Sequence, residues 1–190
     1  MSRWRIFTGD CRAWLAGLEA ESAQCCVTSP PYWRRRDYGH PGQLGAEPTP
    51  RAYVEALVSV LEEVRRVLRP DGTLWINLGD SYAGTGGGGQ GVLGARASRT
   101  TRKTQAKRGD GLKYKDLVGI PWRVALALQE AGWWLRCDVI WSKPNPIPSS
   151  AADRPTRSHE YIFLLSKSEN YYYDGAAVRE PAAPPCESPR

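Results

Sequence analysis

The sequence is poor in metal ligands and in paired cysteines. Its 190 residues include five cysteines, and no two of them form a C-x-x-C pair, so neither a zinc site nor a disulfide framework is expected. There are only two histidines, His40 and His159, and neither is followed by a second histidine four residues later. A catalytic metal site with three ligands is therefore not expected.

Long apolar runs are also absent from the sequence. No run approaches the roughly 18 residues that a membrane-spanning helix needs, so no membrane contact is expected. The first residues, M-S-R-W-R-I, lack the apolar stretch and the small-residue cleavage site of a secretory signal. The expected location is therefore cytoplasmic, and a length of 190 residues suits one domain with a buried core.

The formal net charge of +6 is concentrated in one segment. Between residues 95 and 115, eight basic residues stand against a single acidic residue, Asp110. The basic residues are Arg96, Arg99, Arg102, Lys103, Lys107, Arg108, Lys113 and Lys115. Such a cluster attracts phosphate groups. Charge alone is equally compatible with a solvated loop that has no partner.

Apolar patterning predicts strands and helices in alternation. Strands are expected at residues 5–8, 24–28, 73–78, 133–141 and 161–165, and helices at residues 11–18, 50–69 and 121–132. The alternation of apolar and polar residues in 133–141 indicates a strand with one buried face. This order of elements predicts a mainly parallel α/β sheet.

The same pattern divides the chain into three parts. Residues 1–180 are expected to form one domain, within which residues 83–115 are rich in glycine and then in basic residues. We expect that stretch to be a mobile loop, because it has few residues that could enter a core. Residues 181–190 are expected to be a disordered tail.

One short motif, V-T-S-P-P-Y at residues 27–32, points to chemistry. Its two prolines stop the preceding strand, because proline cannot donate to a sheet ladder. The tyrosine ring then lies at the carboxyl end of a strand, where open α/β sheets bind their ligands. Small neutral acceptors beside a flat ring suit a planar base with an amino group. On the tetrapeptide alone, a simple packed turn is the alternative; Gly9-Asp10 before it and Asn77 to Asp80 after it favour a functional site.

With these features the chain resembles the DNA amino-methyltransferases that use S-adenosylmethionine, in the permuted group whose catalytic tetrapeptide precedes the glycine motif. The matching segments are residues 9–11, 27–32, 66–75, 119–122, 138–141 and 154–160. Thr-Ser before Pro-Pro-Tyr is most typical of enzymes that modify cytosine N4. The resemblance therefore implies N4-cytosine methylation of double-stranded DNA in a restriction–modification system, with N6-adenine methylation as the alternative.

The resemblance also implies a Rossmann-like methyltransferase sheet and a role for each site residue. The catalytic tetrapeptide is Ser29, Pro30, Pro31 and Tyr32. In it, the Ser29 hydroxyl and the Pro30 carbonyl accept hydrogen bonds from the amino group of the base, and Tyr32 stacks on a base flipped out of the duplex. Contact with the cofactor is expected from Gly9, Asp10 and Cys11. Phosphate contacts are expected from Arg34, Arg35, Arg36, Arg96, Arg99, Arg102, Lys103, Lys107 and Arg108.

One segment of the family is missing from the sequence. The family's Phe-x-Gly-x-Gly segment, which wraps the methionine end of the cofactor, should follow the strand at 161–165, and the chain reaches Arg190 without it. The resemblance therefore implies a sheet that is incomplete on its C-terminal side and is completed by a missing C-terminal segment or a second chain. Two other classes stay open: a nucleic-acid-binding remnant without catalysis, and a methyltransferase acting on RNA or on protein amides.

Overall fold

The structure is a computed structural model that describes residues 4–83, 111–146 and 148–180. Most of the predicted basic segment, including its six predicted phosphate contacts from Arg96 to Arg108, lies outside the described residues. The predicted tail at 181–190 lies outside them as well. The predicted loop is joined at its two ends, because the backbone N–H of Ala83 donates to the carbonyl of Asp116 at 2.8 Å.

Seven helices and strands form in the part of the chain that the structure describes. In chain order they are α1 (Cys11–Ala16), β1 (Ala23–Thr28), α2 (Pro50–Val67), β2 (Leu68–Leu78), α3 (Ile120–Glu130), β3 (Trp134–Ser142) and β4 (His159–Ser166). None of the described helices is long and apolar enough to cross a membrane.

The predicted strand at residues 5–8 is wrong. These residues are exposed and irregular. Their interactions are made with helix α1 rather than with a sheet: the Phe7 ring packs at 4.4 Å from the ring of Trp14, and the Trp14 indole N–H donates to the carbonyl of Thr8. Phe7 therefore makes a local contact with α1, while Ile6 is 80% exposed.

The strands form one sheet in the order β1-β2-β4-β3. Strands β1 and β2 are parallel, while β4 is antiparallel to both β2 and β3. Strands β1, β2 and β3 thus run in one direction, so the sheet is mainly parallel as expected, and only β4 runs in the opposite direction. The reason lies in the connection between β3 and β4, since residues 143–158 contain no described helix that could return the chain to the starting edge.

Helices α2 and α3 build the core on one face of the sheet. The Thr49 hydroxyl caps α2 by accepting from the backbone N–H of Ala52, and Pro50 occupies the first turn, as the sequence predicts. Core residues are shared among α2, β2, α3 and β4; they include Tyr53, Leu57, Leu61, Leu74, Ile76, Leu78, Val124, Leu128, Phe163 and Leu165. On the other face of β1, Cys25 and Val27 are exposed, Val27 to 79%.

Strand β3 does not have the buried face that its alternation predicts. Trp134, Val139, Ile140 and Trp141 are 41–57% exposed. The strand lies at one edge of the sheet, where it has a single neighbouring strand. The buried anchor is Trp133, which precedes the strand, is 2% exposed and donates from its indole N–H to Glu62.

Candidate active site

The tetrapeptide 29–32 lies where two parallel strands end. It follows β1 directly, and Thr28 of β1 is in register with Ile76 of β2. Because parallel strands present their carboxyl ends at the same edge, the next residues of both strands meet there. Ser29 is exposed at this edge, and residues 30–32 are half-buried. The tetrapeptide is therefore open to solvent, and the hydroxyls of Ser29 and Tyr32 lie 3.4 Å apart at the carboxyl end of β1.

The ring of Tyr32 packs directly on the backbone of Gly79. A Cβ atom built on Gly79 would lie 2.6 Å from Cδ2 of Tyr32 and closer still to Cε2, which is too short for any side chain. At its other end, the Tyr32 hydroxyl lies 2.6 Å from Oδ1 of Asn77 and 3.0 Å from Oε2 of Glu160. The tyrosine is thus held by its ring and by its hydroxyl.

Burial raises the pKa of the Tyr32 hydroxyl above its usual value. The neighbouring Ser29 hydroxyl, 3.4 Å away, opposes this rise, while the hydrogen bond to the Glu160 carboxylate and its charge add to it. The phenol therefore stays neutral at physiological pH, and it is a hydrogen-bond donor as well as an aromatic surface.

Glu160, at the start of β4, connects the tyrosine to a cation. Its Oε1 forms an ion pair with Lys143, which follows β3. Burial pushes the pKa of the Glu160 carboxyl upward, but hydrogen bonds from Lys143 and Tyr32 outweigh burial, so the net pKa is lowered. Glu160 is therefore a carboxylate that accepts from both neighbours.

Hydrogen bonds also fix the chain after the tetrapeptide. The Tyr53 hydroxyl of α2 donates to the carbonyl of Pro31 at 2.9 Å, and burial raises the pKa of Tyr53. Gly45 has a φ of 91°, and a Cβ there would lie 3.0 Å from the Tyr32 carbonyl oxygen. The indole N–H of Trp33 donates to the carbonyl of Glu47. These contacts make the tetrapeptide part of the domain's rigid frame.

The predicted cofactor residues lie around the start of α1. Asp10 caps this helix through the backbone N–H of Arg12 at 2.9 Å and forms an ion pair with the Arg12 guanidinium at 2.6 Å. Hydrogen bonds from Arg12 lower the pKa of Asp10 to about 2. Cys11 is exposed, and Gly9 has a φ of 142°. Among the described residues, no hydrogen bond joins these three to residues 29–32.

The arginine triplet follows the tetrapeptide on the surface. Arg34, Arg35 and Arg36 are all exposed, and the Arg34 guanidinium lies 5.8 Å from the centre of the Trp33 ring. The backbone N–H of Arg35 donates to the carbonyl of Tyr32 at 3.2 Å. The triplet is therefore held next to the candidate site, with its charges directed to solvent.

A second cluster of hydrogen-bonded polar residues borders the site at the end of β2. The side chain of Asp80 is 2% exposed, and its Oδ1 accepts from the backbone N–H groups of Gly119 and Ile120, both at 3.0 Å, at the start of α3. Its Oδ2 lies 3.3 Å from the guanidinium of Arg157. Asp80 thus fixes the start of α3 and ties the segment before β4 to the sheet.

Sequence reasoning assigned no site role to Asn77, Lys143 or Glu160. Two signals could have pointed to them: Glu160 belongs to the S-H-E run in a segment that matches the family, and Asn77 is a polar residue in an otherwise apolar strand. The separations along the chain are long, since Tyr32 lies 45 residues from Asn77 and 128 from Glu160. Only the order of strands in the sheet brings them together.

Comparison with known proteins gives the chain its relatives. A family model described as DNA methylase matches residues 23–188. The type II methyltransferase M.SmaI of Serratia marcescens is 51% identical over 192 residues, covering 95% of this chain and 62% of the relative. The type II methyltransferase M.Cfr9I of Citrobacter freundii is also 51% identical, over 180 residues, covering 92% of this chain and 58% of the relative. The chain thus spans about three-fifths of the length of these relatives.

Two solved structures share the fold. PvuII DNA methyltransferase (cytosine-N4-specific) superposes with a TM-score of 0.60 at 20% identity, over 90% of this chain and 52% of that protein. The putative DNA modification methylase TTHA0409 of Thermus thermophilus, in complex with S-adenosyl-L-methionine, gives a TM-score of 0.56 at 24% identity, over 89% and 55%. The expected methyltransferase sheet is therefore confirmed.

Proposed function

Because this chain belongs to the N6/N4 DNA methylase family, we propose that it methylates the exocyclic N4 amino group of cytosine in double-stranded DNA. The methyl donor is S-adenosylmethionine, which supplies an electrophilic methyl group when bound. Thr28-Ser29 before Pro-Pro-Tyr favours cytosine N4 over adenine N6. The observation that carries the proposal is the exposed Ser29 hydroxyl beside the ring of Tyr32, which is clamped at both ends.

The tetrapeptide can make the amino group of a base more nucleophilic. The lone pair of that nitrogen is delocalised into the ring, so the group is a poor nucleophile. The Ser29 hydroxyl and the Pro30 carbonyl accept hydrogen bonds from its two N–H groups and favour a pyramidal nitrogen with a free lone pair. This nitrogen would form its bond to the methyl carbon as the carbon–sulfur bond of the donor breaks, and it would then release one proton to water. Tyr32 stacks on the flipped base, which contributes about 1–3 kcal/mol. Catalysis then rests on positioning, with no covalent enzyme intermediate.

The residues around α1 fit the adenosine end of the methyl donor. The Asp10 carboxylate is exposed, and its pKa of about 2 keeps it ionised at neutral pH, so it can accept a hydrogen bond from an amino group. Cys11 lies exposed beside it. The methionine end is left to residues that this chain does not supply in the described part.

A completing segment is therefore part of the proposal. In the described sheet, β1 has a neighbour on one side only, and Val27 is exposed. The relatives are longer than the match, since the chain covers 62% of M.SmaI. We propose that a C-terminal segment or a second chain adds to the open edge of β1, and that the chain alone transfers methyl groups poorly.

The exposed arginines supply the DNA contact. Arg34, Arg35 and Arg36 follow the stacking tyrosine, where they can neutralise phosphates on either side of a flipped nucleotide. Such contacts orient the duplex without reading its sequence. The predicted contacts between Arg96 and Arg108 would extend the same positive surface.

The test is to identify the methylated product. The chain is expressed alone and joined to the part of M.SmaI beyond the match, in a host that lacks N4-methylcytosine, and the host DNA is digested and examined by mass spectrometry. We expect N4-methylcytosine from the joined chain and little from the chain alone. The same joined chain with Ser29→Ala is the matched control and should give a far weaker signal.

Other products would replace the proposal. N6-methyladenine in place of N4-methylcytosine would change the assigned base. Modified RNA or protein amides without modified DNA would change the substrate class. A joined chain that binds DNA but modifies nothing would make this domain a nucleic-acid-binding remnant.

A further inference from the structure

The Ser29 hydroxyl can accept from a base only if its own proton points elsewhere. A serine hydroxyl has one proton to donate and two lone pairs with which to accept. Two oxygen atoms lie within reach of Ser29 Oγ: Oδ1 of Asn77 at 3.2 Å and the Tyr32 hydroxyl at 3.4 Å. Asn77 is the nearer of the two and is an amide carbonyl, which accepts without donating.

The orientation of the Asn77 amide follows from its other contact. Its Nδ2 donates to the backbone carbonyl of Tyr161 on the neighbouring strand β4, at 3.3 Å. In the flipped orientation, Oδ1 would face this carbonyl, and two acceptors would meet without a proton between them. The network therefore directs Oδ1 toward the hydroxyls of Ser29 and Tyr32.

The Tyr32 proton does not displace the Ser29 proton from this acceptor. Oδ1 of Asn77 has two lone pairs, and the Glu160 carboxylate at 3.0 Å is a further acceptor for Tyr32. Lys143 is ion-paired with Glu160 and keeps it charged. Both hydroxyl protons thus have acceptors on β2 and β4, which leaves the lone pairs of Ser29 open to solvent.

We propose that Asn77 is a positioning residue that takes the proton of Ser29 and so turns the lone pairs of Ser29 toward the amino group of the bound base. This inference rests on the proposed function, because it assigns Asn77 a part in the same reaction. In this proposal Asn77 contacts neither the base nor the methyl donor. It acts on the reaction through the Ser29 hydroxyl.

The decisive measurement is a double-mutant cycle on the full chain together with the segment that completes its sheet. Asn77→Leu removes the acceptor at similar size and should lower kcat roughly tenfold, with KM for DNA nearly unchanged. In a Ser29→Ala background the same substitution should have almost no further effect, because the hydroxyl it orients is already gone. Asn170→Leu, on an exposed loop, is the matched control and should leave kcat unchanged.

The Asn77→Asp variant distinguishes a role of Asn77 in positioning Ser29 from a purely structural role in β2. The aspartate keeps an oxygen acceptor for Ser29 but places a second charge beside Glu160. If Asn77 only supports β2, this variant should be at least as impaired as Asn77→Leu; if it positions Ser29, it should keep several times more of kcat. Thermal unfolding of each variant shows whether a loss of activity reflects loss of the fold.

The outcomes distinguish this inference from the proposed function. Wild-type protein that methylates no DNA overturns both. Methylating wild type with an unaffected Asn77→Leu variant, or with losses that add in the double mutant, overturns only the role of Asn77. An independent readout is the NMR signal of Tyr32 in protein labelled with [13Cζ]tyrosine, assigned by its loss in Tyr32→Phe. It should shift in Asn77→Leu, and an unshifted signal would contradict the network.

Discussion

The small size of Gly79 determines where the ring of Tyr32 can lie. The tyrosine ring occupies the space that a side chain at Gly79 would need. The backbone of Gly79 does not require a left-handed conformation, so glycine is needed at this position for space. The site therefore depends on the absence of a methyl group at Gly79, for which the sequence alone predicted no contact with Tyr32.

Gly79→Ala should displace the Tyr32 ring and lower methyl transfer at least about tenfold, because a near-attack geometry tolerates little misplacement. The cost in unfolding free energy should be about 1–3 kcal/mol, as for overpacked sites. Methylation kinetics and thermal unfolding measure the two effects. The control is Gly175→Ala, where the nearest atom to a new Cβ would be 3.7 Å away. Normal turnover of Gly79→Ala would show that the ring position is not needed.

The Asp10 carboxyl should leave a signature in the pH dependence of stability. Its pKa lies at about 2 in the folded chain, below the ordinary value of 3.8, so the folded state favours the charged form. The stabilisation is complete above pH about 4 and is lost as the pH falls through about 2. Asp10→Asn also caps α1 but does not titrate. We expect the stability advantage of wild type over Asp10→Asn to narrow between pH 4 and 2 in denaturant unfolding, and a constant difference would contradict the shift.

The site residues that the sequence predicts together, Ser29 and Tyr32, belong to one short motif. Ser29 and Tyr32 lie three positions apart and were predicted together because proline stops β1 between them. Asn77 and Glu160 come from other strands, and their role depends on the order of strands in the sheet. A sequence pattern cannot show that order, because β4 inserts between β2 and β3.

At the scale of elements, helix α2 was predicted best. Its cap, its first-turn proline and its apolar stripe are local features, and the structure begins it at Pro50 as expected. Strand β3 was predicted in place but with a buried face that it lacks. Burial of a strand depends on what packs against it, and at the edge of this sheet the described part of the chain leaves Val139 to Trp141 41–57% exposed.

Thr49→Ala should lower the unfolding free energy by about 1 kcal/mol, because the backbone N–H of Ala52 loses its acceptor at the start of α2. Thr49→Ser keeps a hydroxyl and should stay close to wild type. Denaturant unfolding followed by circular dichroism measures both. Equal stability of the alanine and serine variants would mean that water replaces the cap without loss.

At the scale of the whole molecule, the surface around the site should control DNA binding through charge. Replacing Arg34, Arg35 and Arg36 by alanine should weaken binding and reduce the slope of log K against log salt by roughly 0.9 for each phosphate that is no longer neutralised. Replacing the three by lysine keeps the charges and should keep the slope. Fluorescence anisotropy with a labelled duplex at several salt concentrations provides the measurement. An unchanged slope in the alanine variant would place the phosphate-binding residues elsewhere.

The architecture of the whole sheet was only partly predictable. Alternating strands and helices correctly indicated an α/β sheet, and the family resemblance of the motifs correctly indicated the methyltransferase fold. The antiparallel direction of β4 was missed, because it depends on a connection without a helix between β3 and β4, and the sequence there is rich in proline and serine rather than clearly patterned.

In the described sheet, one side of β1 has no neighbouring strand, and this favours association between copies. An edge strand exposes a row of backbone N–H and C=O groups that will bond to any extended segment of suitable shape. Val27 beside that row adds an apolar surface. Wherever this edge is left without a neighbouring strand, copies of the chain are expected to pair with one another along it.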